Sequence, residues 1–174
     1  MRKRFVASIS VRLILSTGVL LACASSSYAA DDFVQVQLNT GKAGPRAVEA
    51  LTERSILRDY RFAWSSLAQA LQSSTTDPLN GAFSGEAAEW LRRTVASQQE
   101  SHISRRYTDQ THQLEAVFYA PEGDVMELHD TAQYQVQILD GDKSIHQENV
   151  TVHYVVLMTP GADRWVVRQL QAVP

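Results

Sequence analysis

The chain has only one cysteine, 8 glycines and 5 prolines in 174 residues, and no block of like charge is longer than three. One cysteine cannot staple a small scaffold, and this little Gly and Pro excludes a collagen-like or low-complexity chain. With 44% apolar residues, wholesale disorder is excluded as well. Beyond residue 30 there is no apolar run near the roughly 20 residues that span a bilayer. There is also no Gly-rich phosphate loop and no Gly-x-Ser-x-Gly elbow. What remains is a globular chain of about one domain.

The first thirty residues have a different character. Arg2, Lys3 and Arg4 precede an apolar stretch from Leu13 to Ala24, interrupted only by Ser16, Thr17 and Gly18, and small residues follow as far as Ala30. This pattern predicts a secretory signal peptide over residues 1–29, so the mature chain is expected in the periplasm or secreted, without a membrane span. Ser27 and Ala29 suit an ordinary signal peptidase. Leu20-Leu21-Ala22-Cys23 offers the alternative of a lipobox, with the protein anchored through Cys23. Four of the 16 basic residues fall in the leader and none of the 19 acids does, leaving twelve bases against nineteen acids, a mature charge of -7. That surface disfavours nucleic acid.

Residues 30–45 are polar and weakly alternating through Phe33, Val34, Val36 and Leu38, and predict a leader strand or a tether. From Arg46 to about Ser73, the residues Ile56, Tyr60, Ala63, Trp64, Leu67 and Leu71 share an arc about 100° wide on a helix. Pro45 suits a first helical position. Asp77-Pro78 predicts a short turn of helix. Ser84 then caps a second long helix whose face carries Ala87, Leu91 and Val95 before turning polar at Thr94, Gln98 and His102.

After Ile103 the period becomes two, with turn signals at 121–124, 140–142 and 160–163. Four strands are expected, over about 111–119, 125–139, 144–159 and 164–172. Met126, Leu128, Ala132, Tyr134, Val136 and Ile138 form one row; the matching rows are Val150, Val152, Tyr154, Val156 and Met158, and Leu114, Ala116 and Phe118. The expected fold is α+β, a single cone-like domain over residues 46–174. Its N-terminal helices pack on the concave face of a curved antiparallel meander sheet. A mature chain of this length can bury roughly 68–70% of its unfolded surface.

This order of elements resembles the cone-shaped nuclear transport factor 2-like superfamily. Tyr-Arg-Phe-Ala-Trp at 60–64, Phe83-Ser84-Gly85 with Trp90-Leu91, Arg106-Tyr107 and Arg164-Trp165-Val166-Val167 look like bacterial relatives of the intermembrane-space domain of plastid-division proteins. The likeness covers about Leu51 to Val173. It implies a cavity between helices and sheet, used for acid-base chemistry in ketosteroid isomerases, scytalone dehydratases and polyketide cyclases, and for ligand binding or dimerisation in other members. No catalytic dyad of those enzymes aligns with this chain.

Asp130 occupies the inward register between Leu128 and Ala132 and therefore needs a partner: an arginine such as Arg61 or Arg105, a tyrosine hydroxyl, or a water. Tyr60, Tyr134 and Tyr154 lie on inward rows, each an apolar ring with one polar tip. Together with Trp64 they complete the set of pocket candidates. No His pair has metal-ligand spacing, so no metal or cofactor is expected. His129 and His153 are expected side by side on the outer face near Glu127, where the row continues through Gln133 and Gln135. That face is a candidate interface for a homodimer or an envelope protein. The leading reading is a noncatalytic binding or interaction module with an apolar pocket for a small ligand. The alternatives are a cavity isomerase, dehydratase or cyclase using Asp130 with a tyrosine, and a structural domain of an envelope complex.

Overall fold

The computed structural model describes residues 34–174. The predicted leader, its cleavage site, Phe33 and Cys23 lie outside these residues. Five strands make one sheet in the order β1 (Gln35–Asn39), β2 (Ile103–Tyr119), β3 (Met126–Asp140), β4 (Lys143–Pro160) and β5 (Trp165–Val173). β2 to β5 form the antiparallel meander, and β1 adds a parallel edge against residues 111–115 of β2. Between β1 and β2 run α1 (Ala50–Ser73), a 3-10 turn (Asp77–Leu79) and α2 (Gly85–Ser101), and both helices pack on the concave side.

All six apolar positions of the α1 arc are at most 3% exposed. Burying a side chain of this size stabilises the fold by roughly 1.5–3 kcal/mol. The helix starts at Ala50, however, because Pro45 makes an isolated parallel bridge to Tyr119 and residues 46–49 lead in from there. On α2, Ala87, Leu91 and Val95 are buried as the spacing predicts. The polar end of that face has a structural role: buried Gln98 donates Nε2–H to the Leu71 carbonyl at 3.0 Å, satisfying a group near the end of α1. Ser84 precedes α2 but makes no side-chain cap, and its Oγ is buried without a partner.

Irregularities set the curvature of the sheet. Register shifts fall at Thr108/Thr111 and Ala116/Phe118 between β2 and β3, at Ile138/Leu139 between β3 and β4, and at Leu157/Met158 between β4 and β5. Each such bulge strengthens the local twist. The shift after Ala116 overturns one expectation: Phe118 pairs with outward Glu127 and is 39% exposed, while Tyr119 pairs with Met126 and is 2% exposed. β2 also begins eight residues before the expected Thr111. β5 flanks β4 only from His153 onward, so residues 143–152 of β4 pair with β3 alone.

Candidate functional site

Asp130, Tyr60 and His112 meet in the core, at 2%, 0% and 1% exposure. The Tyr60 hydroxyl, from the middle of α1, donates to Asp130 Oδ2 at 2.8 Å. His112 Nδ1, from β2, lies 2.7 Å from the same oxygen. A carboxylate oxygen accepting from a phenol and from an Nδ1–H imidazole satisfies this geometry. Asp130 Oδ1 and His112 Nε2 have no hydrogen-bond partner. Neither arginine proposed from the sequence pairs with Asp130. Arg61 donates to the Val36 carbonyl at 2.9 Å, and Arg105 Nη1 lies 3.4 Å from Gln98 Oε1.

Trp64 covers this network. Its ring centroid is 4.3 Å from that of His112 and 6.3 Å from that of Tyr60, and it also reaches Tyr154 at 5.6 Å and Tyr134 at 5.9 Å. The hydroxyls of Tyr134 and Tyr154 hydrogen-bond to each other at 2.9 Å across β3 and β4. Burial, reinforced by the Asp130 charge, pushes the Tyr60 phenol well above its ordinary value. Burial likewise raises Tyr134 and Tyr154, and takes Tyr107 to about 12. All four therefore serve as neutral hydroxyls near neutral pH.

The concave side opens next to this cluster. A cleft of about 480 Å³ runs between α2 and the sheet, with Leu91, Tyr107, Tyr154 and Leu170 among its walls and Arg93 and Arg105 beside them. It continues into a wider groove of about 840 Å³ bounded by Glu86, Glu89, Trp90, Val152 and Ala172. Volumes of this size are typical of small-molecule sites, about 300–1,000 Å³. Of the pocket candidates, Tyr154 lines both parts. Tyr60, Trp64 and Asp130 line neither, and Tyr134 contributes to a separate depression of about 510 Å³ with Gln133 and Gln135. Among the described residues no three His, Cys, Asp or Glu side chains gather closely enough to hold a metal ion.

The outer face carries the interface candidates His129, Gln133, Gln135 and His153. His129 contacts Glu127 at 3.2 Å, but His153 stands opposite Thr131, which it meets at 3.2 Å, and His129 stands opposite Val155. The two histidines are thus diagonal neighbours, one pairing step off the side-by-side placement. Gln135 donates to Asn149, and Gln137 to Gln147, each at 3.2 Å, forming a hydrogen-bonded polar ladder.

Four polar residues take places outside the sequence expectations: His112 and Asp59, both buried, and Arg105 and Tyr107, both half-buried. His112 lies two residues before inward Leu114, so parity alone places it beside Asp130. Arg105 and Tyr107 are inward because the bulge after Thr108 reverses parity, which no local signal announces. Buried Asp59 accepts the Trp165 backbone N–H at 2.9 Å while pairing with Arg58 at 2.7 Å, and so ties α1 to β5.

No family model matches the chain, and no curated protein matches it. Solved structures do. The intermembrane space region of chloroplast protein ARC6 is 13% identical, with 74% of this chain covering 98% of that one at a TM-score of 0.60. The Kfla4162 protein from Kribbella flavida is also 13% identical, with 72% of this chain covering 92% of that one at a TM-score of 0.43. The first likeness is one of fold. Among the described residues no helix is long and apolar enough to cross a membrane.

Proposed function

We propose that this chain is a noncatalytic binding module of the cell envelope that takes a small apolar ligand in the groove between α2 and the concave sheet. One observation carries the reading: the open groove has an apolar floor, while the carboxylate best suited to chemistry is 2% exposed and covered by Trp64. The leader pattern over residues 1–29 supports export, by ordinary cleavage or with an anchor at Cys23. A fold shared with an intermembrane-space region is in keeping with an envelope setting. Acid-base catalysis by Asp130 with a tyrosine gains no support from the geometry, because Asp130 is 2% exposed and lines neither part of the groove. A second reading, assembly through the outer sheet face as a homodimer or on an envelope partner, is favoured by exposed Phe118 beside the polar row.

Native mass spectrometry of protein purified gently from its own compartment tests both readings. The groove reading expects a retained small molecule that is lost in a Leu170→Glu variant of unchanged fold. A bare chain that also fails to bind an apolar fluorescent probe sinks it. The homodimer form of the assembly reading expects a dimer that Gln133→Arg dissociates, and a monomer at every concentration sinks that form.

A further inference from the structure

The charges around the groove are not evenly spread. The inner cleft has two arginines in its walls, Arg93 from α2 and Arg105 from β2, and no acid. Glu86 and Glu89 line only the wider outer part, which Arg93 borders as well, whereas Arg105 lines the inner cleft alone. Neither arginine makes an ion pair among the described residues, although Glu89 precedes Arg93 by one helical turn. The contact of Arg105 with Gln98 is long, at 3.4 Å, and leaves most of its guanidinium donors unused. The net charge of the mature chain is negative, so two unpaired cations at one apolar cleft run against the overall balance.

The same cleft is lined by Leu91, Leu170 and the rings of Tyr107 and Tyr154. The phenols are held neutral by burial and oppose no anion. Thr94 and Ser97 add hydroxyls on the same wall of α2. A guanidinium at the edge of an apolar wall binds a carboxylate or phosphate through charge-assisted, often bidentate, hydrogen bonds while the rest of the ligand leaves water.

From this arrangement we infer that the occupant of the groove is an anionic amphiphile, an apolar chain ending in a carboxylate or phosphate, with its head between Arg93 and Arg105 and its tail along Leu91, Tyr154 and Leu170. This inference rests on the groove being the binding site. The acids at the outer end disfavour a second anion there and give the ligand a direction.

Calorimetric titration of the purified chain with three probes of equal tail length, decanoate, decan-1-ol and decyltrimethylammonium, each below its aggregation concentration, tests the inference. Decanoate is expected to bind about tenfold more tightly than decan-1-ol, with the advantage shrinking as salt is added. Arg93→Gln and Arg105→Gln are each expected to remove roughly three- to tenfold of decanoate affinity and to leave decan-1-ol unchanged, with thermal melts confirming the fold. Equal binding of decanoate and decan-1-ol, preference for the cation, or arginine variants that leave the ratio intact would overturn the anionic assignment while the groove reading stands. Failure of all three probes to bind overturns both.

Discussion

His112 Nδ1 stands 2.7 Å from Asp130 Oδ2, joining β2 to β3 from inside the core, diagonally across the Leu114–Asp130 pair. Removing one member of a buried charge-bearing pair strands the other, at a cost of about 3–5 kcal/mol. Asp130→Ala is expected in that range by chemical denaturation. Tyr60→Phe, which leaves the histidine contact in place, should cost about 1–2 kcal/mol. A double-mutant cycle of Asp130→Asn with His112→Phe should show coupling well above the few tenths expected of independent sites. Strict additivity would show that the contact does not hold the strands.

The bulge after Ala116 makes neighbouring aromatics unequal. Tyr119→Ala should cost about 3–5 kcal/mol, as truncation of a buried ring does. Phe118→Thr should change stability by no more than about 0.5 kcal/mol, the usual range for exposed sites. Equal losses in urea titrations of the two variants would contradict the register described above.

One residue before Tyr60 on α1, Asp59 and Arg58 contribute unequally to one ion pair. Asp59 also receives the Trp165 N–H, so Asp59→Ala leaves a backbone donor unpaired and should cost about 1–3 kcal/mol. The Arg58 side chain is 65% exposed, and Arg58→Ala should cost no more than about 1 kcal/mol. The ranking of the two melting temperatures is the readout.

Four raised phenols fix the alkaline limit. A phenol whose folded value exceeds its unfolded value, near 10, contributes stability that is fully present below that pH. The contribution is lost as pH rises through the folded value, about 12 for Tyr107. Tyrosinate absorbance from Tyr60, Tyr107, Tyr134 and Tyr154 should therefore rise together with unfolding followed by circular dichroism, above pH ~10. Ionisation of all four near pH ~10 with the fold intact would contradict their burial.

The parts of the fold that the sequence revealed are those where one period runs unbroken. The α1 arc from Ile56 to Leu71 and the alternation from Met126 to Tyr134 each bury the predicted face. The errors sit at phase changes. Phe118 and the inward turn of Tyr107 follow from bulges, which shift parity by one residue and leave no local composition cue. Asp130 was legible as a buried acid needing a partner, and the tyrosine alternative was the right one. Its second partner, His112, is marked only by sharing the strand parity of inward Leu114. The arginines of the groove were invisible as a pair, since Arg93 and Arg105 come from a helix and a strand that only packing brings to one cleft.

Because β5 shadows β4 only from His153 onward, the amides of residues 143–152 can open by fraying. Those from Tyr154 to Leu157 are paired on both sides and are expected to exchange with solvent only through openings close to global unfolding. Tyr154 stands at the seam between the loose arm and the stiff body. A molecule lodged against it would stiffen the arm from its root, and slowed deuterium uptake there would report occupancy without any label on the ligand.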